Sequence, residues 1–194
     1  MRWKLLLTIL VAFALGGSLA FILRPAGMSD STGEAQIGGP FSLVDQTGKA
    51  VTQQDYAGRY LLVMFGFTHC PDVCPTALQV MAGTLDALGA KADKVAPLFI
   101  TVDPGRDTPE IMQGYVSAFH PKIQGLTGSE EQIAAVTRAY RVFARRVDDA
   151  GSPDGYTMDH SAFIYLMDPS GRYVMHFRHN ASPDEIASRI APLL

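Results

Sequence analysis

Both cysteines of the chain, Cys70 and Cys74, lie in the segment GFTHCPDVCPT (66–76), with three residues between them and a proline after each. Such a pair can form a disulfide bond, exchange thiols with a substrate or bind a metal ion. A disulfide bond here would close a loop of only five residues, which removes little conformational freedom from the unfolded chain. Stability alone is therefore a poor reason for the pair.

Thiol exchange and metal binding both remain open from these residues. The C-x-x-C redox motif has two intervening residues, so a spacing of three departs from it without excluding exchange. Pro75 as the first residue of a helix would make Cys74 the N-cap, where the helix dipole lowers the pKa of a thiol. Two thiolates favour Cu(I) or Zn, but they are too few for a four-cysteine iron–sulfur cluster. A metal ion would therefore need a third ligand, and imidazole is the usual one.

Among the five histidines, His160 is the best candidate for that ligand. It lies in YTMDHSAFIYL, at the start of an apolar strand, where a turn could aim its ring at the cysteines. Asp159 could orient the imidazole, or be a cap or a solvated loop acid, and Met158 could line the site. The other four histidines fit simpler roles. His69 is expected to face away from the cysteines, His120 to cap a helix, and His176 and His179 to be exposed on or just after a strand.

Hydrophobic runs and capping residues predict the elements that must position this site. Predicted strands cover 41–45, 49–53, 60–67, 95–103, 161–168 and 172–178, and the last two form a closing hairpin. Predicted helices cover 75–89, 107–119 with Asp107 or Thr108 as N-cap, 129–140 with Ser129 as N-cap, and 182–194 with Ser182 as N-cap and Pro183 next. This order predicts an α/β fold with a mixed sheet, and it places the cysteines where a central strand ends.

The N-terminal residues predict a membrane anchor. Arg2 and Lys4 precede nineteen uncharged residues, 5–23, and Arg24 follows them. This length spans a bilayer as a helix, and the charge bias places the following residues outside the cytoplasm. A cleaved signal peptide is the alternative, with a candidate cleavage site at 18–20. We expect an anchor over 1–24, a flexible linker over 25–36 and one domain over 37–194.

The charge of the predicted domain bears on its partners. Of the 16 basic residues, three flank the anchor, so 13 basic and 19 acidic residues remain, a formal charge of −6. This acidic balance argues against nucleic acid as a partner.

Three segments in order carry a resemblance to a known family. GFTHCPDVCPT, TVDPGRDTPE and YTMDHSAFIYLMDPSGRYV resemble the Sco/SenC family of membrane-anchored copper chaperones, over roughly residues 37–190. The resemblance implies a thioredoxin-like fold with extra N-terminal strands, and copper bound by Cys70, Cys74 and His160. It also matches Asp72 and Asp159 to the acidic residues beside the family's ligands.

The resemblance further implies delivery of copper to the dinuclear copper centre of cytochrome c oxidase. The expected partners are the copper-accepting subunit of the oxidase and a periplasmic copper donor, and the expected location is the inner membrane, with the domain in the periplasm. The alternative function is a thiol-disulfide oxidoreductase that reduces the cysteines of that subunit, in which case Cys70 and Cys74 are catalytic. A peroxidase is disfavoured because the chain has no third thiol to resolve a sulfenic acid.

Overall fold

The structure is a computed structural model that describes residues 36–152 and 154–194. The predicted anchor and nearly all of the predicted linker lie outside these residues. Within the residues that are described, no helix is both long and apolar enough to cross a membrane.

The described residues form nine β-strands and four α-helices. The strands are β1 Ser42–Asp45, β2 Ala50–Thr52, β3 Tyr60–Gly66, β4 Val95–Thr101, β5 Gln124–Thr127, β6 Ala144–Asp148, β7 Tyr156–His160, β8 Phe163–Met167 and β9 Tyr173–Arg178. The helices are α1 Val73–Leu88, α2 Pro109–Ser117, α3 Glu130–Ala139 and α4 Pro183–Ile190.

Seven strands form one mixed sheet in the order β2-β1-β5-β4-β3-β8-β9. The three central strands run parallel, and β1 and β8 flank them in antiparallel pairing. Every residue of β4 is buried, as its uninterrupted apolar sequence predicts for a strand covered on both faces. The predicted α/β fold with a thioredoxin-like mixed sheet and extra N-terminal strands is confirmed.

The register of β3 and β4 positions the cysteine segment. Gly66, the last residue of β3, pairs with Thr101, the last residue of β4. Both strands therefore end at the same edge of the sheet. The cysteine segment after β3 and the loop over 102–108 after β4 leave that edge side by side, as the rule for ligand sites in open α/β sheets predicts.

Three strands were not predicted. Strand β5 is short and contains Gly125, and β6 carries exposed Arg145 and Arg146 in place of an apolar alternation. Strands β6 and β7 form a separate two-stranded sheet, so neither needs the hydrophobic face that makes a strand recognisable. As a result, His160 ends a strand and does not lie in a turn.

The first residues of the helices correct one prediction and support others. Helix α1 begins at Val73 with Asp72 as its N-cap, so Cys74 is not the cap but the second helical residue. Pro75 is tolerated at the third position because the first backbone N–H groups of a helix have no acceptor within it. The N-caps Ser129 and Ser182 are confirmed. Thr108 caps α2, where its side chain accepts a hydrogen bond from the N–H of Ile111.

Candidate metal centre

The structure brings together the three side chains that the sequence singled out. The Sγ atoms of Cys70 and Cys74 and a ring nitrogen of His160 all lie within 4.8 Å of one another. Nε2 of His160 lies 3.7 Å from Sγ of Cys74. Ligand bonds of about 2.0–2.3 Å to one ion hold neighbouring ligand atoms about 3.3–4 Å apart. The three side chains are thus close to the spacing that a shared metal ion requires.

Cys74 is fully buried, and Gly66 makes room for its sulfur. A Cβ atom at position 66 would lie 2.7 Å from Sγ of Cys74 and 2.6 Å from a ring carbon of Phe99. Real Cβ atoms essentially never approach other atoms this closely. The lack of a side chain at the end of β3 therefore decides where the sulfur lies.

The two thiols differ strongly in acidity. The Cys74 side chain donates a hydrogen bond to Cys70. Against partial burial, the backbone N–H groups of Cys74 and Asp72 also stabilise the thiolate, so the pKa of Cys70 is lowered to about 4. The same hydrogen bond to Cys70, together with burial, raises the pKa of Cys74. Without metal, the pair therefore holds one negative charge at neutral pH, on the half-buried Cys70. A soft cation would find one ligand already deprotonated.

A buried carboxylate holds the start of the cysteine segment. Asp107 is fully buried and accepts hydrogen bonds from the backbone N–H of Thr68 at 3.1 Å, from Oγ1 of Thr68 at 2.6 Å and from Oγ1 of Thr101 at 2.6 Å. Burial raises the pKa of Asp107 despite these three donors. It joins the end of β4 to the residues just before Cys70. Asp107 also suits a helix cap, which hides this role in the sequence. Because Thr108 caps the helix by itself, Asp107 is left free for another role.

His160 lies at the end of β7 in a defined orientation. Its Nδ1 is 3.0 Å from the carbonyl oxygen of Ser161, so Nδ1–H donates to that oxygen, and in the neutral ring this places the lone pair on Nε2. The ring of Phe67 packs edge-on against the imidazole, with centroids 5.8 Å apart. Nε2 is thereby directed at Cys74. This is the neutral form in which histidine binds metals.

Neighbouring residues differ from their predicted roles. Asp159 is exposed, and its carboxylate lies 3.6 Å from the guanidinium of Arg145. The group that orients His160 is instead the carbonyl of Ser161, so the orienting role predicted for Asp159 is wrong and the solvated acid is correct. Met158 lines a cavity of about 330 Å³ between α3 and the β6–β7 hairpin. His69 is exposed and contacts Oγ1 of Thr68, not the sulfur atoms.

Comparisons with known proteins agree with this geometry. The family model described as SCO1/SenC matches residues 29–194. A SCO2-like protein of Rickettsia felis is 44% identical over 151 residues, which cover 78% of this chain and 74% of the relative. The mitochondrial SCO1 homolog of Homo sapiens is 38% identical over 201 residues, covering 97% of this chain and 65% of the relative.

Solved structures with similar folds include three that contain copper, among them two ScoI proteins. The copper-bound ScoI of Bradyrhizobium japonicum is 50% identical with a TM-score of 0.75, and the match covers 81% of this chain and 99% of that one. The copper-bound ScoI of Arabidopsis thaliana is 41% identical with a TM-score of 0.75, and the match covers 80% of this chain and 96% of that one.

Proposed function

The chain belongs to the SCO1/SenC family, and on that premise we propose that it is a copper metallochaperone for the assembly of cytochrome c oxidase. Copper is its cargo, bound by Cys70, Cys74 and His160 and delivered to the dinuclear copper centre of the oxidase. The observation that carries this proposal is the convergence of two thiol sulfurs and one imidazole nitrogen within 4.8 Å.

The chemistry of the three groups suits copper in both common oxidation states. Thiolate and imidazole ligands are preferred by Cu(I), and Cu(II) accepts the same groups together with an oxygen ligand in a flatter arrangement. Cys70 and His160 are only partly buried, so an acceptor can approach the metal. A site with three protein ligands leaves a coordination position open, and an incoming ligand of the acceptor can occupy it before the carrier's ligands leave.

The place of delivery follows from the predicted anchor. We infer a single membrane helix over 1–24 and a linker over 25–36, with the domain over 37–194 in the periplasm and bound to the inner membrane. The partner is then the copper-accepting subunit of the oxidase, and a periplasmic donor supplies the metal. In support, the human relative and a yeast relative are named as mitochondrial proteins, and the intermembrane space corresponds to the periplasm.

An anaerobic Cu(I) titration of the full chain against a chromophoric chelator tests the ligand set. We expect Cys74→Ser to abolish tight binding and His160→Ala to weaken it at least about tenfold, because loss of even an outer-shell partner costs about 10–100-fold in metal affinity. His69→Ala is the matched control, since this exposed imidazole lies next to Cys70 but outside the site. Equal affinity of the parent and His160→Ala would overturn the three-ligand site.

A second function, thiol-disulfide exchange, is favoured by the acidity of Cys70. Its thiolate can attack a disulfide of the copper-accepting subunit to form a mixed disulfide and release one thiolate. Cys74 then attacks the mixed disulfide, which leaves a Cys70–Cys74 disulfide and the acceptor with both cysteines reduced. His160 has no part in these steps. Reduction of an oxidised acceptor fragment should therefore persist in His160→Ala and be lost in Cys70→Ser, which separates exchange from copper binding.

A further inference from the structure

The hairpin that carries His160 lacks the backbone support that the cysteines have. Strands β6 and β7 pair with each other and, within the described part of the chain, with no other strand. A cavity of about 330 Å³ separates part of the hairpin from α3. Side-chain contacts must therefore hold β7, and with it His160, against the rest of the domain.

Arg106, in the loop after β4, contacts the start of β7, and Met158 of the same strand packs against the hydrophobic core. Only 10% of the Arg106 side chain is exposed, and its Nε donates a hydrogen bond to Asp103 at 2.5 Å. Its Nη1 lies 3.3 Å from the carbonyl oxygen of Tyr156, the first residue of β7. The guanidinium carbon lies 3.8 Å from the centroid of the Tyr156 ring, within cation–π distance. A single side chain thus binds both the backbone and the ring at the start of β7.

Tyr156 completes the connection. Its ring is buried, its hydroxyl donates to Asp103 at 3.1 Å, and the guanidinium of Arg146 lies 3.6 Å from the ring centroid. Asp103 therefore accepts hydrogen bonds from both Arg106 and Tyr156. We call the group of Asp103, Arg106 and Tyr156 the latch.

The latch also reaches the other end of β7. The guanidinium of Arg106 lies 5.8 Å from the centroid of the Phe67 ring, and that ring packs edge-on against His160. Arg106 therefore acts on the imidazole by two routes. One fixes the first residue of the strand, and the other supports the ring that contacts its last residue.

We propose that the latch positions His160 for copper, with Arg106 as a positioning residue that never contacts the metal. This inference rests on the proposed function, because it assumes that His160 is a ligand. While the contacts among the three latch residues are formed (the closed latch), Nε2 of His160 stays within reach of the two sulfurs. With the latch open, the hairpin carries the imidazole away, and the two thiols keep copper alone and more weakly.

The test is a double-mutant cycle on the full chain, with Cu(I) affinity as the readout. Arg106→Ala should weaken binding about tenfold, within the range known for outer-shell partners of metal ligands. In the His160→Ala background the same change should have no further effect, because its route to the metal has been removed. Arg106→Lys should restore part of the affinity, since it keeps the charge but lacks the planar guanidinium fork that bonds Asp103 and Tyr156 together.

A second readout reports on the imidazole alone. Cu(II) bound to the parent should show the electron spin echo modulation of an imidazole nitrogen, and Arg106→Ala should reduce that signal. Arg145→Ala is the matched control. This arginine lies on the same hairpin, but it is exposed and pairs only with exposed Asp159. It should leave the affinity and the signal unchanged.

The outcomes separate the latch from the ligand set. If His160→Ala weakens copper binding and Arg106→Ala does not, the latch is overturned and the ligand set stands. If Arg106→Ala weakens binding equally in the His160→Ala background, Arg106 acts on the thiols or the fold, and the latch is again overturned. If His160→Ala has no effect, the proposed ligand set itself fails.

Removal of Arg106 leaves the buried Asp103 without its cation, so this variant can lose its fold. Tyr156→Leu is the second variant, because it keeps the Asp103–Arg106 ion pair and removes the ring of Tyr156 and its hydroxyl hydrogen bond to Asp103. Folding is checked by urea unfolding. A folded Tyr156→Leu protein with parental copper affinity and a parental nitrogen signal would overturn the latch.

Discussion

The cysteine segment and the β6–β7 hairpin contribute to one site but are held in different ways. The cysteine segment continues from a central strand of the seven-stranded sheet into α1. Asp107 accepts a hydrogen bond from the start of the segment, and Gly66 leaves room for the sulfur of Cys74. The hairpin is exposed along β6, and side-chain contacts, among them those of Arg106 with Tyr156, hold it. The thiols thus belong to the core, and the imidazole belongs to its periphery.

This division suits a protein that must both hold and release a metal ion. A site made only of core residues would hold copper tightly but would have to disturb the fold to release it. When one ligand lies on a separately held hairpin, the apparent affinity depends on the fraction of molecules in which that hairpin is closed. Release then requires movement of two short strands, and the sheet stays intact.

The largest expected effect concerns the two thiols of the cysteine segment. Iodoacetamide at pH 6 should alkylate Cys70 at least about a hundredfold faster than Cys74, because alkylation requires an accessible thiolate. The pKa of Cys70 is lowered to about 4, whereas that of Cys74 is raised. Peptide mass spectrometry of the reduced, metal-free chain measures the two rates. Similar rates would mean that Cys74 is not enclosed by the core.

The second prediction tests the close packing of Gly66 against the sulfur of Cys74. Gly66→Ala should destabilise the fold by about 1–3 kcal/mol, the usual cost of overpacking a core, because its Cβ would overlap Cys74 and Phe99. Copper affinity should fall as well. Gly114→Ala is the matched control, at an open position of α2 with no atom within 4 Å, and it should stabilise by up to about 1 kcal/mol. Urea unfolding measures both changes, and equal stability of Gly66→Ala and the parent would contradict the close packing.

The smallest effect is the pH dependence of the stability that Asp107 contributes. Burial raises the pKa of Asp107 in the folded state. Its favourable contribution to the free energy of unfolding is therefore complete below the unfolded pKa of 3.8 and is lost as pH rises through the folded pKa. The unfolding free energy of the parent minus that of Asp107→Asn should therefore decrease from acid pH towards neutral pH. Urea titrations across this range measure it.

Asp168 provides the control of opposite sign. Although burial opposes the shift, hydrogen bonds from Ser170 and Arg172 lower its pKa to about 2. Its contribution is therefore present above pH 3.8 and is lost as pH falls towards 2. The difference between the parent and Asp168→Asn should increase with pH. If both differences changed in the same direction, the assignment of Asp107 as a buried, unfavourably charged group would be wrong.

The same contrast explains what the sequence could predict. Strand β3 and helix α1, which flank Cys70, have strong hydrophobic patterns because they are buried, and both were predicted. The hairpin was not, because Arg145 and Arg146 give β6 no apolar face. His160 was nevertheless identified, from its place before an apolar strand and from the resemblance to a family. Its strand and its partner Ser161 required the structure.

Long-range side-chain contacts were the other limit. Asp107 and Arg106 lie in the motif TVDPGRDTPE, but their partners Thr68 and Tyr156 are 39 and 50 residues away in the chain. Sequence spacing does not encode such pairings. The position of Cys74 within the first turn of α1 was missed for a local reason, since Pro75 is compatible with the first as well as the third helical position.

The separation of 86 residues between Cys74 and His160 also orders events during biosynthesis. At elongation rates of about 5–20 residues per second, both thiols leave the ribosome roughly 4–17 seconds before the imidazole. During that interval a nascent chain can bind a metal ion or oxidise through sulfur alone. The discrimination that the third ligand adds begins only when His160 has been synthesised and has folded onto the cysteine segment.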